Sequence, residues 1–323
     1  MYIYKIHNFL NVKTNLKEIL PPVFRSNNDE KPCQLEILFI NNFKHKLSIE
    51  KLTEIAPGMY IDYPKQLVIS KFSLGGKNIE ARLHFSTGKT TFQFNSLYYY
   101  LSKYILKIPM SSFYPIEHLI KLIIQTILLK KGYSFIISAG LIIKNTPILL
   151  TSFGGIGKTL TTINLMKNNS SSIFFSDDTL ITDGTKIYSY PSRIRVRKLG
   201  NPILSIEQFI NPQDILNINL KSNITMKPKI LFFLEKGSKN RIYKITSTQA
   251  KLRYKSICNK ILNVKAERMH LTANYLGSLN IEELEKRQNI IINSLLKRTQ
   301  CIVIEVGHPK YYSQLIEDYL NTK

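Results

Sequence analysis

Apolar and polar residues alternate through much of residues 1–105, the spacing of strands with one buried face. Gln34–Ile40, Gln66–Ser73, Asn78–Phe85 and Thr90–Phe94 predict strands, with turns at Gly75-Gly76-Lys77-Asn78 and Ser86-Thr87-Gly88-Lys89. Together they predict an antiparallel, β-rich N-terminal region. Pro109 and Pro115 interrupt the pattern. From Ile116 to Lys130 the apolar positions Leu119, Leu122, Ile123, Ile127 and Leu128 fall at helical spacing and predict a helix.

The texture changes at Tyr133. Ser134–Ser138, Gly140–Lys144 and Pro147–Leu150 predict short strands, the last running straight into a glycine-rich turn. Thr159–Lys167 predicts a helix and Ser172–Phe175 a buried strand. Thr179–Thr182 and Lys186–Tyr190 flank Asp183-Gly184, which predicts a two-residue hairpin turn. Lys229–Glu235 predicts another buried strand, with Arg241–Thr246 as its partner. Helices at about 248–263 and 281–297, a strand over Cys301–Val306 and a closing helix over Lys310–Leu320 complete the pattern. No internal repeat is present. The fold class expected is α/β of the mixed α+β kind. The division expected is residues 1–130, β-rich and ending in a helix, and residues 131–323, built around the glycine-rich turn.

Composition narrows this picture. A chain that is 44% hydrophobic and 11% aromatic is not intrinsically disordered. Cys33, Cys258 and Cys301 lie far apart with no C-x-x-C, which argues against a disulfide framework or a cysteine zinc site and fits a reducing compartment. The most apolar stretch, Leu119 to Leu150, is broken by Lys121, Gln125, Lys130, Lys131, Lys144 and Asn145. No transmembrane helix and no signal peptide are expected, and a soluble, cytoplasmic protein is.

Lys and Arg number 45 against 22 Asp and Glu, a formal charge of +23 that attracts polyanions. The basic residues are spread along a chain rich in Ile, Lys and Asn, so a composition bias is favoured over a designed patch. No helix-turn-helix, zinc-finger or RNP signature is present, and nucleic acid is not an expected partner.

The stretch that carries chemistry is Ser152-Phe153-Gly154-Gly155-Ile156-Gly157-Lys158-Thr159, followed by Leu160. It ends in G-K-T between an apolar strand and a helix, the context a phosphate-binding loop requires. Backbone N–H groups opened by glycines wrap a phosphate chain, and the helix N-terminus adds partial positive charge. Lys158 is expected on the β- and γ-phosphates and the Thr159 hydroxyl on Mg²⁺. Ser152 stands where the G-x-x-x-x-G-K-[ST] pattern opens with Gly. The competing reading is a glycine-rich turn that merely precedes a helix.

Asp177 and Asp178 follow the apolar Ile173-Phe174-Phe175, twenty residues after Lys158 and across one helix. One carboxylate suits the metal or its water, the other a proton from an attacking hydroxyl. The competing reading is a polar strand end. Arg193, Arg195 and Arg197 alternate with Ile194 and Val196, which on a strand puts three guanidiniums on one face. They suit a phosphoryl group or an acidic acceptor, or equally a solvated face of a basic protein.

The order of strand, glycine-rich G-K-T loop, helix, Phe175-Ser176-Asp177-Asp178, hairpin and Tyr190-Pro191 resembles the C-terminal domain of HPr kinase/phosphatase, within the PEP carboxykinase-like P-loop kinases. Leu231-Phe232-Phe233-Leu234-Glu235-Lys236-Gly237 adds a weaker likeness, and the match spans roughly residues 133–240. The resemblance implies a P-loop domain with a mixed sheet. In it Lys158 binds phosphate, Thr159 ligates the metal and Asp178 accepts the substrate's proton, with Asp177 beside it. Three positions depart from the family. Leu160 stands in place of Glu, Ile136–Gly140 lack the family's His, and Arg193, Arg195 and Arg197 lie where a metal-binding Glu is expected.

The expected function is an ATP- or other NTP-dependent, Mg²⁺-dependent kinase acting on a hydroxyl of a peptide Ser/Thr or a small molecule. The alternative is a non-catalytic nucleotide sensor or partner-binding module. Oligomeric state is left open, and His270, His308 and Glu235 stand as further residues for the site.

Overall fold

A computed structural model of the chain describes residues 1–27, 32–41, 43, 51–74, 76–86, 88–101, 116–192, 194–197, 207–218, 220, 223–258 and 268–322. The protein is mixed α+β, with four sheets and eight α-helices among the described residues. Its backbone groups into two compact units. One comprises Met1–Lys131 with Leu262–Arg287, the other Gly132–Ile261 with Gln288–Lys323. Residues 262–287 therefore group with the first unit although they follow most of the second in the chain.

The first unit is built on a nine-stranded sheet. Its strands are β1 (Tyr2–Ile6), β2 (Leu10–Thr14), β3 (Arg25–Ser26), β4 (Leu35–Ile40), β5 (Thr53–Ala56), β6 (Met59–Asp62), β7 (Leu67–Leu74), β8 (Lys77–Phe85) and β9 (Thr90–Asn95), in the order β3-β1-β2-β4-β9-β8-β7-β6-β5. Alternation sets the faces: Tyr4 and Ile6, Leu10 and Val12, and Phe92 and Phe94 are buried, while Lys5, Asn11 and Gln93 between them are only partly so. The expectation of an antiparallel region is corrected at the centre, where β2 pairs parallel with β4 and β4 parallel with β9. Parallel pairing is a long-range choice that no hairpin turn announces. Helix α1 (Ser96–Tyr100) is capped by the Asn95 side chain. Helix α2 (Ile116–Lys130) buries residues on every side, as expected for a core helix.

The second unit holds the glycine-rich loop. Its strands begin with β10 (Ser134–Ile137), β11 (Ala139–Ile143) and β12 (Thr146–Thr151), then α3 (Lys158–Asn168), β13 (Ile173–Ser176), β14 (Thr179–Thr182) and β15 (Ile187–Tyr188). There follow β16 (Ile194–Arg197), β17 (Glu207–Ile210), α4 (Pro212–Leu216), β18 (Thr225–Met226), β19 (Ile230–Lys236), β20 (Arg241–Lys244) and α5 (Ser247–Cys258). Helix α6 (Arg268–Tyr275) belongs to the first unit, and the boundary falls within α7 (Ile281–Arg298), before β21 (Gln300–Val306) and α8 (Tyr311–Asn321).

A six-stranded mixed sheet runs β13-β11-β12-β19-β21-β20. Strands β12, β19 and β21 are parallel, and β13 points the same way because both β13 and β12 are antiparallel to β11. The continuous apolar runs Ile230–Leu234 and Cys301–Ile304 are buried, the sequence signature of parallel strands covered on both faces. On one face Leu150, Phe232 and Ile304 pack with Leu165 of α3 and Tyr312 and Ile316 of α8. A separate four-stranded sheet takes β10-β14-β15-β18.

Two expected pairings are corrected. The Arg241 strand does not pair with β19. It pairs antiparallel with β21, because β19 is already flanked by β12 and β21. The Asp183-Gly184 turn is not a two-residue hairpin, since Thr182 pairs with Ile187 and residues 183–186 form the loop. Asp183 Oδ1 accepts from the Thr185 and Lys186 backbone amides, both at 2.7 Å, which holds the wider turn. The C-terminal part of the expected helix at 248–263 lies outside the described residues.

Candidate functional site

The C-terminal ends of β12, β13, β19 and β21 open on one edge of the sheet, where α/β proteins gather ligands. Four connections meet there: residues 152–157, Asp177-Asp178, the turn at Gly237 and the turn at Gly307. The first is the glycine-rich loop. Ser152 is buried, with its hydroxyl on the Phe153 carbonyl at 3.0 Å. Phe153 and Leu160 are each 44% exposed, whereas Ile156 packs against the core.

The glycines are not equivalent. Gly155 has φ +82° and Gly157, which opens α3, has φ +114°. Both need a residue without a Cβ. Gly157 also abuts the neighbouring turn: a Cβ there would lie 2.7 Å from Cβ of Pro309. Gly154 has open space around it and no positive φ, so its backbone does not demand glycine.

Lys158, Thr159 and Leu160 form the first turn of α3. The Thr159 hydroxyl donates to Asp177 Oδ2 at 2.7 Å. The Lys158 ammonium donates to the Asp177 carbonyl and to Asp178 Oδ1, the latter at 3.2 Å. Asp177 is only 4% exposed, and its Oδ1 is buried with no hydrogen-bond partner. An ionised carboxylate oxygen in that position is costly unless a cation or donor meets it. Asp178 is half exposed at its side chain.

Hydroxyl side chains fix this corner. Ser138 donates its amide to the Asp178 carbonyl at 2.9 Å and its hydroxyl to the Leu150 carbonyl at 2.9 Å. Thr151 Oγ1 donates to the Ile137 carbonyl at 2.9 Å. Ser176 Oγ donates to the Tyr190 carbonyl at 3.0 Å, which ties the Tyr190-Pro191 segment to the end of β13. The ends of β12 and β13 are thus held in fixed relation.

On the other side of β12, Glu235 and Glu305 are register partners on β19 and β21. Glu235 pairs with Arg253 at 2.8 Å, and Glu305 accepts from Arg241 and from the Tyr243 hydroxyl at 2.8 Å. The Tyr243 and Arg241 donors hold Glu305 below the usual carboxylate range. Burial pushes the Tyr312 phenol up to about 12, and its hydroxyl donates to the Glu235 carbonyl at 2.7 Å.

The structure thus brings Ser152, Ile156, Gly157, Lys158, Thr159, Asp177 and Asp178 to one corner. Glu235, next to last in β19, lies on the same edge, one strand from the loop, but in an ion pair. Arg195 and Arg197 sit on β16, opposite Phe209 and Glu207. Their side chains and the whole of Arg193 lie outside the described residues. His270 is in the first unit, buried against Thr126. His308 lies in the turn that touches Gly157, with exposed Lys310 and Tyr311. Of that turn the sequence pointed only to His308, and Pro309, Lys310 and Tyr311 were missed; the signal is a parallel strand followed by glycine, Val306-Gly307, as β19 is in Lys236-Gly237. Two clefts of about 460 and 450 Å³ lie at the C-terminal end of α7, and neither is lined by a residue of 152–159.

Among the described residues no helix is long and apolar enough to cross a membrane, and no group of three His, Cys, Asp or Glu side chains could hold a metal. No family model and no curated protein matches the chain. Among solved structures, the HPr(Ser) kinase/phosphatase from Coxiella burnetii aligns over 58% of this chain and 97% of its own, at 11% identity and a TM-score of 0.32. That is a weak structural neighbour whose superposition falls short of a shared fold.

Proposed function

We propose that residues 152–159 bind the phosphates of a nucleoside triphosphate with Mg²⁺, and that the second unit transfers the terminal phosphoryl group to an acceptor hydroxyl. The observation that carries this reading is the Thr159–Asp177 pair. A hydroxyl with free lone pairs stands beside a buried carboxylate oxygen that lacks a partner. That donor set fits a hard divalent cation, which takes oxygen ligands and keeps several waters. Thr159 and Asp177 would hold Mg²⁺, which neutralises charge on the phosphates.

The chain's own groups supply the rest. Backbone amides of the loop and the first turn of α3 point at the phosphates. Lys158 is mostly buried and only the Asp178 carboxylate is half exposed, so phosphate oxygens replace Asp178 on Lys158 from the open side of the pair. Asp178, whose Oδ2 also accepts from Thr179 Oγ1 at 3.2 Å, then takes the proton of the acceptor hydroxyl on Oδ1. The hydroxyl oxygen forms a bond to the γ-phosphorus as the bond to the β–γ bridging oxygen breaks. The products are a nucleoside diphosphate and a phosphorylated acceptor, and Asp178 passes its proton to water. Ser, Thr or a small-molecule alcohol fits this chemistry, and a cytoplasmic protein fits its nucleotide supply. Asp178→Asn is expected to keep Mg·ATP affinity and lose transfer by about a hundredfold or more. Unchanged transfer of labelled γ-phosphate to a panel of serine, threonine, inositol and cell peptides would remove Asp178 as the base.

A second reading is a nucleotide sensor. It is favoured by Leu160, an exposed apolar side chain on the first turn of α3 that cannot take part in proton transfer. Tight Mg·ATP binding without transfer to any acceptor would select it.

A further inference from the structure

We propose that the turn His308-Pro309-Lys310-Tyr311, at the end of β21, is the wall that receives the nucleobase; this rests on the phosphate-loop reading above. The sheet order gives the direction. Asp178 follows β13, on one side of β12, while β19 and β21 lie on the other side. The transferred phosphoryl must face Asp178, so the nucleoside extends the opposite way, across the ends of β19 and β21. The two connections there pack together, with the Gly237 amide on the Val306 carbonyl at 3.0 Å. The Gly237-Ser238-Lys239-Asn240 turn carries no ring. The Gly307–Tyr311 turn carries two.

Its position is set by contact, since Pro309 lies against Gly157 at the start of α3. Its chemistry suits a base. His308 and Tyr311 are exposed and edge-to-face, with ring centroids 6.5 Å apart. The His308 ring is held by the Lys310 amide donating to Nδ1 at 3.3 Å, and Tyr311 N donates to the His308 carbonyl at 3.1 Å. Lys310 Nζ stands over one face of the Tyr311 ring, 4.9 Å from its centroid, so positive charge backs that ring and the other face is the one a base would stack on. Aromatic faces held in place bind any base by stacking, with little demand on its identity. The subsite is therefore expected to favour nucleoside triphosphates over bare triphosphate and to discriminate weakly between bases.

The test compares calorimetric binding of Mg·ATP and Mg·tripolyphosphate to full-length wild type and variants. Tyr311→Ala, alone and with His308→Ala, is expected to weaken ATP about tenfold, the order for one base on one ring, and to leave tripolyphosphate unchanged. Tyr311→Phe restores ATP binding because it keeps the ring. Equal weakening of both ligands, or no change in their ratio, overturns the subsite. So does a loss of ATP preference in Phe153→Ala, the loop's own exposed ring, in place of Tyr311→Ala. In Lys158→Ala both ligands are lost together. If Lys158→Ala binds both as wild type does, the phosphate-loop reading fails, and the subsite with it.

Discussion

Thr159 Oγ1 lies 2.7 Å from Asp177 Oδ2, and the other oxygen of that carboxylate is buried without a partner. One residue from the G-K-T motif and one just past the end of β13 would thus supply two oxygen ligands to the proposed Mg²⁺. Asp177→Asn keeps the shape and removes the charge. It is expected to abolish Mg²⁺-dependent strengthening of ATP binding and to lower transfer by about a hundredfold or more. Titrating Mg²⁺ at fixed ATP checks it. An unchanged Mg²⁺ dependence would mean the metal is held elsewhere.

Two of the loop glycines should separate under alanine substitution. Gly157→Ala puts a Cβ at φ +114° and into Pro309, and is expected to cost about 1–3 kcal/mol and most of the nucleotide affinity. Gly154→Ala has neither problem, and is expected to be neutral or stabilising by about 0.4–1 kcal/mol. Denaturant melts of the two variants measure the contrast, and equal losses would show that the loop has another conformation.

His270 gives the first unit a dependence on pH. Burial pushes its pKa down to about 4; the neighbouring His118 adds to this and the Leu122 carbonyl opposes it. Its Nε2 meets Thr126 Oγ1 at 3.0 Å, and Nδ1 is buried without a partner. The folded pKa lies below the unfolded value near 6.5, so the unfolded chain binds the proton more tightly. Stability from this group is intact above about pH 6.5 and lost as pH falls towards about 4. Between about pH 7 and 5 the loss is on the order of 2 kcal/mol. Melting temperatures of wild type and His270→Leu across this range test it, since the variant's pH slope should flatten. Parallel slopes would assign the dependence to other groups.

Much of this was legible in the sequence because it is local. The span Ile116–Lys130 is set by spacing alone, and the strand–loop–helix at 146–168 is announced by Ile148–Leu150, Gly155, Gly157 and Lys158. What was not legible depends on partners distant in the chain. The parallel neighbours of β4, and the pairing of β20 with β21, follow from which edges are already taken. The wide turn at 183–186 depends on Gly184, whose φ is +88° and whose added Cβ would meet the Ile291 carbonyl at 2.8 Å. The contact of Pro309 with Gly157 joins residues about 150 apart and has no local signature. Composition could suggest that Gly154 matters as much as its neighbours, and only the backbone angles separate them.

The most direct test of the account is calorimetric binding of Mg·ATP to wild type and to Lys158→Ala at neutral pH. Measurable binding to wild type is expected, falling at least about thirtyfold in the variant, the fold-change of about 2 kcal/mol for a charged hydrogen-bonding partner removed. Equal affinity in both proteins, or no binding to wild type, would contradict it.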